Sequence, residues 1–283
     1  MDNSQAVTHL VACPYCHEPR NSFWASENGF MAVKCSGCGM IYVNPRPAMH
    51  LIENAVKTGV HNHFPENGRT AISRPLSSKV TRYRRILASM FADVWKSREV
   101  ISWLDVGAGY GETIKALAFL APPGSKIEGV EPMKPKALHA QKCGLRVQEG
   151  YINEIQDKFC YVSVVNIFSH IPDFREFLED VKGVLMARGE IFMETGNAGD
   201  LDSPNELPGE LDLPDHLVFA GEKHLLGYLS EAGFSVREIR KERCDGLANF
   251  MKNIVKKILG RNVFLSLPYT SAYRSILIRA KML

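Results

Sequence analysis

The chain has 283 residues, with 34 Lys plus Arg against 31 Asp plus Glu and a net charge of +3. Hydrophobic residues make up 45% and charged residues 23%, which excludes wholesale disorder, and so even a charge balance gives no compositional case for nucleic acid as a partner. No apolar run approaches the ~18 residues of a membrane span, and Met1 to Gln5 lack the basic and apolar blocks of a secretory signal, so a cytoplasmic protein is expected.

Four of the seven cysteines form two pairs, Cys13-x2-Cys16 and Cys35-x2-Cys38, with 18 residues between them. Each C-x2-C turn presents two thiolates on one side of a bend, and two such turns complete the tetrahedron that Zn²⁺ takes with sulfur. Gly37 and Gly39 suit turns of positive φ, and Phe23-Trp24 and Phe30–Val33 read as short strands, so a zinc ribbon with a closed, structural Zn²⁺ is predicted. His17 is expected to face solvent beside it. In so small a module the metal supplies much of the folding energy, and chelation is expected to unfold the module first. Cys143, Cys160 and Cys244 read as ordinary core residues.

Ile41–Val43 continues as a strand and Asn44-Pro45-Arg46-Pro47 breaks it. Residues 59–75 read as linker. Pro75 then opens a helix to about residue 95, with Leu76, Val80, Tyr83, Leu87, Met90 and Val94 on one stripe and a run of basic residues on the other faces. The expected organisation is a ribbon over 1–50, a linker with the basic helix over 51–98, and a large domain over 99–283.

Residues 101–106 form a buried strand that runs into Gly107-Ala108-Gly109-Tyr110-Gly111, and residues 112–120 continue as a helix stopped by Pro122-Pro123-Gly124. Such a turn lets a ligand approach the backbone. It lacks the Gly-x-Gly-x-x-Gly and Gly-Lys-Ser/Thr patterns, and the acids Asp105 and Glu112 beside it repel a pyrophosphate. They suit a positively charged ligand instead, a sulfonium or an amino group. A second strand ends at Glu131, 20 residues past Gly111, where a carboxylate can accept both ribose hydroxyls of an adenosine.

Asp105-x-Gly107-x-Gly109-x-Gly111 together with Glu131 resembles the class I S-adenosylmethionine-dependent methyltransferases. The resemblance implies an α/β fold, a Rossmann-like seven-stranded sheet with helices on both faces, preceded here by the ribbon. It implies S-adenosylmethionine held by Asp105, Gly107, Ala108, Gly109, Gly111 and Glu131, with Tyr151 and Ile152 flanking the adenine and Asn166 at the end of the fourth strand. Residues 143–150, 162–166 and 189–197 resemble the third, fourth and fifth strands. Phe234–Lys241 and Ser275–Lys281 resemble the last pair, with a basic amphipathic helix, Asn249–Leu259, inserted between them. Many relatives carry Glu-His where this chain has Ser169-His170.

Methyl transfer needs alignment of donor and acceptor, plus a base where the acceptor is a hydroxyl. His170, after the fourth strand, and His216, after the fifth, are the catalytic candidates, each with packing as its alternative. His139 and His224 are expected at the surface or an interface. Gly199–Leu217 fits either a lid over the acceptor or a plain surface loop.

The ribbon and the Pro-Arg-Pro junction resemble methyltransferases of sugar, polysaccharide or secondary-metabolite pathways, which implies a small-molecule or glycan acceptor. The basic helix and the basic insert (Lys252, Lys256, Lys257, Arg261) are expected to flank the acceptor cleft, favouring a phosphorylated acceptor such as a nucleotide-linked or lipid-linked sugar. The rival readings are an RNA or protein methyltransferase that grips its target with the ribbon, and a non-catalytic binding module. Asn166-Ile167-Phe168-Ser169 does not match the Asn/Asp-Pro-Pro-Tyr/Phe pattern of amino-methylating enzymes.

Overall fold

A computed structural model of the chain describes residues 8–60, 77–261 and 263–283. Most of the expected linker, and the helix start at Pro75 and Leu76, lie outside them. A seven-stranded sheet forms the centre. Its strands are β6 (Ser102–Val106), β7 (Lys126–Glu131), β8 (Val147–Glu149), β9 (Phe159–Val165), β10 (Leu185–Gly196), β12 (Phe234–Arg243) and β13 (Arg274–Met282), in spatial order β12-β13-β10-β9-β6-β7-β8. Strands β10, β9, β6, β7 and β8 are parallel, and β13 runs antiparallel to both β10 and β12. Strand order reverses beside β6, so the loops after β6 and β9 part there and leave a crevice.

The inner strands β6, β9, β10 and β13 are largely buried, and their alternation sorts side chains between two helical layers. Leu104, Val162, Val164, Ile191, Met193, Ile276 and Ile278 pack with α6 (Phe174–Val184) and α7 (Glu222–Glu231). Trp103, Phe192 and Leu277 pack on the other side with α2 (Ser77–Met90), α3 (Ala92–Ser97) and α4 (Glu112–Ala118). The helix expected from Pro75 to about 95 is thus broken at Phe91. Helix α5 (Lys134–Lys142) ends before Gly144, whose φ of +78° is left-handed, which shortens the expected third strand to β8.

The four-cysteine segment forms β2 (Asn21–Glu27), β3 (Phe30–Cys35) and β4 (Ile41–Val43), while the short strands β1 (Thr8–His9) and β5 (Arg46–Pro47) pair beside it. Its sheet is completed by β11 (Val218–Phe219), a strand contributed from far along the chain, in the order β11-β4-β3-β2. Cys13, Val33, Cys35, Met40 and Tyr42 belong to the same buried cluster as Val162 and Ile191 of the large sheet. The segment 199–217 lays Leu201, Leu207, Leu211 and Leu213 on Trp24, Phe30 and Ile41. Glu27, 5% exposed, accepts hydrogen bonds from the Leu211 and Leu213 amides at 2.8 and 3.2 Å. This segment is packed floor for the ribbon.

One helix escaped the sequence reading. Helix α1 (Met49–Thr58) carries apolar residues at Ile52, Ala55 and Val56 and stops at left-handed Gly59. Helix α8 is Leu247–Ile258, two residues earlier than expected and inserted between β12 and β13.

Candidate functional site

The glycine turn is held against β7: the Gly107 and Ala108 amides donate to the Val130 carbonyl at 2.9 and 3.1 Å. Gly107, Gly109 and Gly111 all have left-handed φ, at +66°, +56° and +80°. A Cβ at Gly107 would stand 2.6 Å from Ile167 Cγ2, so only glycine fits the crevice between the loops after β6 and β9. Glu131 bridges both sides of the turn. Its Oε2 accepts from Gly109 N at 2.7 Å and its Oε1 from Met133 N at 2.9 Å. Each carboxylate oxygen has a further lone pair, so Glu131 can hold the turn and still receive a ligand hydroxyl.

These residues open onto a cavity of about 650 Å³. Gly107, Ala108, Gly109, Glu131, Tyr151, Ile152, Asn166 and His170 line it. Asp105, Gly111 and His216 lie behind its wall. Gly111 is the N-cap of α4. Asp105, 2% exposed, sits beneath the turn and accepts from Ser163 Oγ at 2.5 Å, which itself accepts from Trp103 Nε1 at 3.0 Å. Burial raises the Asp105 pKa to about 7, against the opposing hydrogen bonds from Ser163 and Thr113. Tyr151 Oη is buried with no partner among the described residues, a polar atom left for a bound molecule.

Helix α1 supplies a wall that sequence reasoning missed, through Ile52 and Val56, and α2, expected beside the cleft, lines it through Lys79 and Tyr83. The apolar spacing in 51–56 and the stop at Gly59 were the available signal for α1. Tyr83 Oη accepts from Asn166 Nδ2 at 3.4 Å, tying α2 to the end of β9.

His170 and His216 stand edge to face with ring centroids 4.7 Å apart. The Leu217 amide donates to the Ser169 carbonyl at 2.7 Å and thereby joins their two loops. His170 Nδ1 lies 2.8 Å from the Asp215 carbonyl and His216 Nδ1 lies 2.7 Å from the Leu211 carbonyl. A carbonyl only accepts, so both Nδ1 atoms carry a proton, and in neutral His170 the Nε2 lone pair stays free. Burial first, then the neighbouring His216, lowers the His170 pKa to about 4, keeping that imidazole neutral.

Among the described residues, seven acids line the cavity (Glu53, Glu112, Glu131, Asp173, Glu176, Asp180, Asp215) against three lysines, Lys57, Lys79 and Lys136. The basic insert does not line it, and Lys79 is the one basic residue of α2 that does. Arg82 is engaged by Glu194 and Glu242, both at 2.8 Å, and Arg85 by Glu242 at 3.5 Å.

The cysteine cluster is a second site. Cys13 Sγ lies 3.5 Å from Cys38 Sγ, and Cys16 Sγ lies 3.5 Å from Cys35 Sγ. A tetrahedron of sulfurs ~2.3 Å from zinc has edges of about 3.8 Å, close to these separations. The Gly37 and Cys38 amides point at Cys35 Sγ, at 3.3 and 3.5 Å. His17 is exposed, as expected. Gly39 alone of the two turn glycines takes a left-handed φ, at +81°. His224, expected at the surface or an interface, is fully buried between α7 and the second cysteine turn: it accepts from Gly221 N through Nδ1, and its Nε2 donates to the Cys38 carbonyl at 3.1 Å. Arg175 and Tyr228 donate to the carbonyls of Tyr15 and Pro14, which locks the first turn to α6 and α7.

A family model described as a methyltransferase domain matches residues 76–239. The chain belongs to the methyltransferase-domain family. A curated relative, the ubiquinone biosynthesis O-methyltransferase of Pseudoalteromonas translucida (strain TAC 125), is 25% identical over 152 residues, 47% of this chain. The match spans 63% of that relative's length. The fold is shared with a Galdieria sulphuraria protein provisionally assigned as a sarcosine dimethylglycine methyltransferase, at 16% identity, over 71% of this chain and 85% of that one, with a TM-score of 0.52. It is shared as well with the YcgJ protein of Bacillus subtilis, at 17% identity, over 71% and 98% of the two chains, with a TM-score of 0.50.

Proposed function

We propose that this methyltransferase transfers the methyl group to a hydroxyl of a small, uncharged acceptor in the cytoplasm. The observation that carries the reading is a single cavity with Glu131 and the glycine turn on its walls together with the neutral His170. S-adenosylmethionine supplies a methyl carbon already activated by a sulfonium. The ribose hydroxyls are assigned to Glu131, the adenine to Tyr151 and Ile152, and the methionine end to the turn at Gly107–Gly109 and to Asn166. Asp105 acts from beneath, as a carboxylate whose ionisation a cation above it favours. Gly111 shapes the turn.

His170 accepts the acceptor's proton at Nε2, and His216 holds the His170 ring edge to face. The acidic lining opposes a phosphorylated acceptor at the reacting end, and the O-methyltransferase relative supports oxygen as the acceptor atom. The four cysteines hold a structural Zn²⁺. We assign residues 1–50 to the ribbon, 51–98 to the connecting helices and 99–283 to the methyltransferase domain, with β11 of that domain completing the ribbon sheet.

Single-turnover assays against a panel of phenolic and sugar hydroxyls test the reading. His170→Ala should lower kcat by roughly 10²- to 10⁴-fold, the usual contribution of a positioned base, while the Kd for S-adenosylmethionine holds. A variant that keeps full kcat removes His170 from the chemistry.

A further inference from the structure

Helix α8 is packed with its polarity inverted. Its one buried residue is Asn253, which donates to the Pro208 carbonyl at 3.0 Å. Leu247, Met251, Val255, Ile258 and Leu259, at positions i, i+4, i+8, i+11 and i+12, fall on one face and are 60%, 52%, 53%, 77% and 72% exposed. Residues 247–261 hold Lys252, Lys256, Lys257 and Arg261 and no acid. Lys256 pairs with Glu210 at 2.9 Å, which fixes the helix to the 208–210 segment, while Lys252, Lys257 and Arg261 are exposed.

We propose that α8 is a membrane-surface helix that docks this protein on a bilayer containing anionic phospholipid. An apolar stripe flanked by lysines is the pattern of helices that lie in the plane of a lipid interface, the stripe entering the acyl boundary and the cations meeting headgroups. At 12 residues α8 is too short to cross, and no described helix is long and apolar enough to do so. A second copy of the chain fits less well, because a two-fold contact through the stripe sets the same basic residues against one another.

The topology gives the surface a purpose. Strand β12 runs antiparallel to β13, and β13 antiparallel to β10, so β12 points the same way as β6 and β9. Helix α8 therefore leaves the same edge of the sheet as the loops that build the cavity, and docking turns that edge toward lipid. The docking surface stands independently of the acceptor assigned above.

Co-sedimentation of the full chain with vesicles tests it. The chain should pellet with phosphatidylcholine vesicles doped with phosphatidylglycerol, and far less with phosphatidylcholine alone. Lys252→Ala with Lys257→Ala should weaken partitioning about thirtyfold, at ~1 kcal/mol per cation near an anionic surface. Met251→Glu with Val255→Glu should abolish it, while S-adenosylmethionine binding by calorimetry shows the variant folded. Absence from the anionic pellet overturns the proposal, as does pelleting that the Met251/Val255 variant leaves unchanged. A dimer in sedimentation velocity that this variant converts to monomer also overturns it, because the stripe then belongs to a second copy.

Discussion

Asp105→Asn isolates the buried charge beneath the glycine turn. In the folded chain Asp105 keeps its proton up to about pH 7, whereas its ordinary value is 3.8. Between those values the folded state binds more protons than the unfolded state, so stability falls as pH rises through the window and levels off above about pH 7. At 1.36 kcal/mol per pH unit the full loss is about 4 kcal/mol, of which about 3 kcal/mol falls between pH 5 and pH 8. Asparagine keeps an acceptor for Ser163 Oγ and cannot ionise. Urea denaturation without cofactor should therefore show the variant gaining about 3 kcal/mol on the wild type across that range. Ligand binding should show the complementary effect. A sulfonium in the cavity favours ionised Asp105, so wild-type affinity for S-adenosylmethionine should rise up to about tenfold per pH unit below pH 7 and then flatten. S-adenosylhomocysteine, lacking the sulfonium charge, should respond less. Parallel stability profiles for the two proteins, or a variant with wild-type affinity at every pH, would refute the argument.

Gly107→Ala places a methyl group 2.6 Å from Ile167 Cγ2 at a left-handed φ; calorimetry should show at least about tenfold weaker S-adenosylmethionine binding, ~1.4 kcal/mol, in a folded protein. Arg82→Met strands Glu194, only 4% exposed, and should cost about 3 kcal/mol in denaturant stability, a much larger effect than on acceptor KM. Cys38→Ser, or chelation, should lower the melting temperature in one cooperative transition, because the ribbon shares its core with the large sheet. Two well-separated transitions would mean instead that the ribbon unfolds alone, as its cysteine spacing by itself leads one to expect.

What could be read in the sequence was local. The strand, the glycine turn, the next strand and Glu131 lie within 30 residues, and their chemistry is set by spacing along one βαβ unit. The cysteine pairs are legible for the same reason. Neither signal reports burial, so Asp105 read as a lining carboxylate although it sits behind the wall, bonded to Ser163 58 residues away. The meeting of His170 with His216 depends on the Leu217–Ser169 hydrogen bond between distant loops. The burial of His224 depends on a carbonyl 186 residues away. The partners of Arg82, Glu194 and Glu242, are invisible in the sequence, because they meet it only once β10 and β12 lie beside α2.

The central claim is that the cavity beside Glu131 holds adenosine joined to the methyl-bearing sulfur. Its most direct test is a crystal grown with S-adenosylhomocysteine. The account predicts one molecule per chain, with both ribose hydroxyls on the Glu131 carboxylate and the sulfur facing His170. An empty cavity, or a ligand seated away from Glu131, would contradict it.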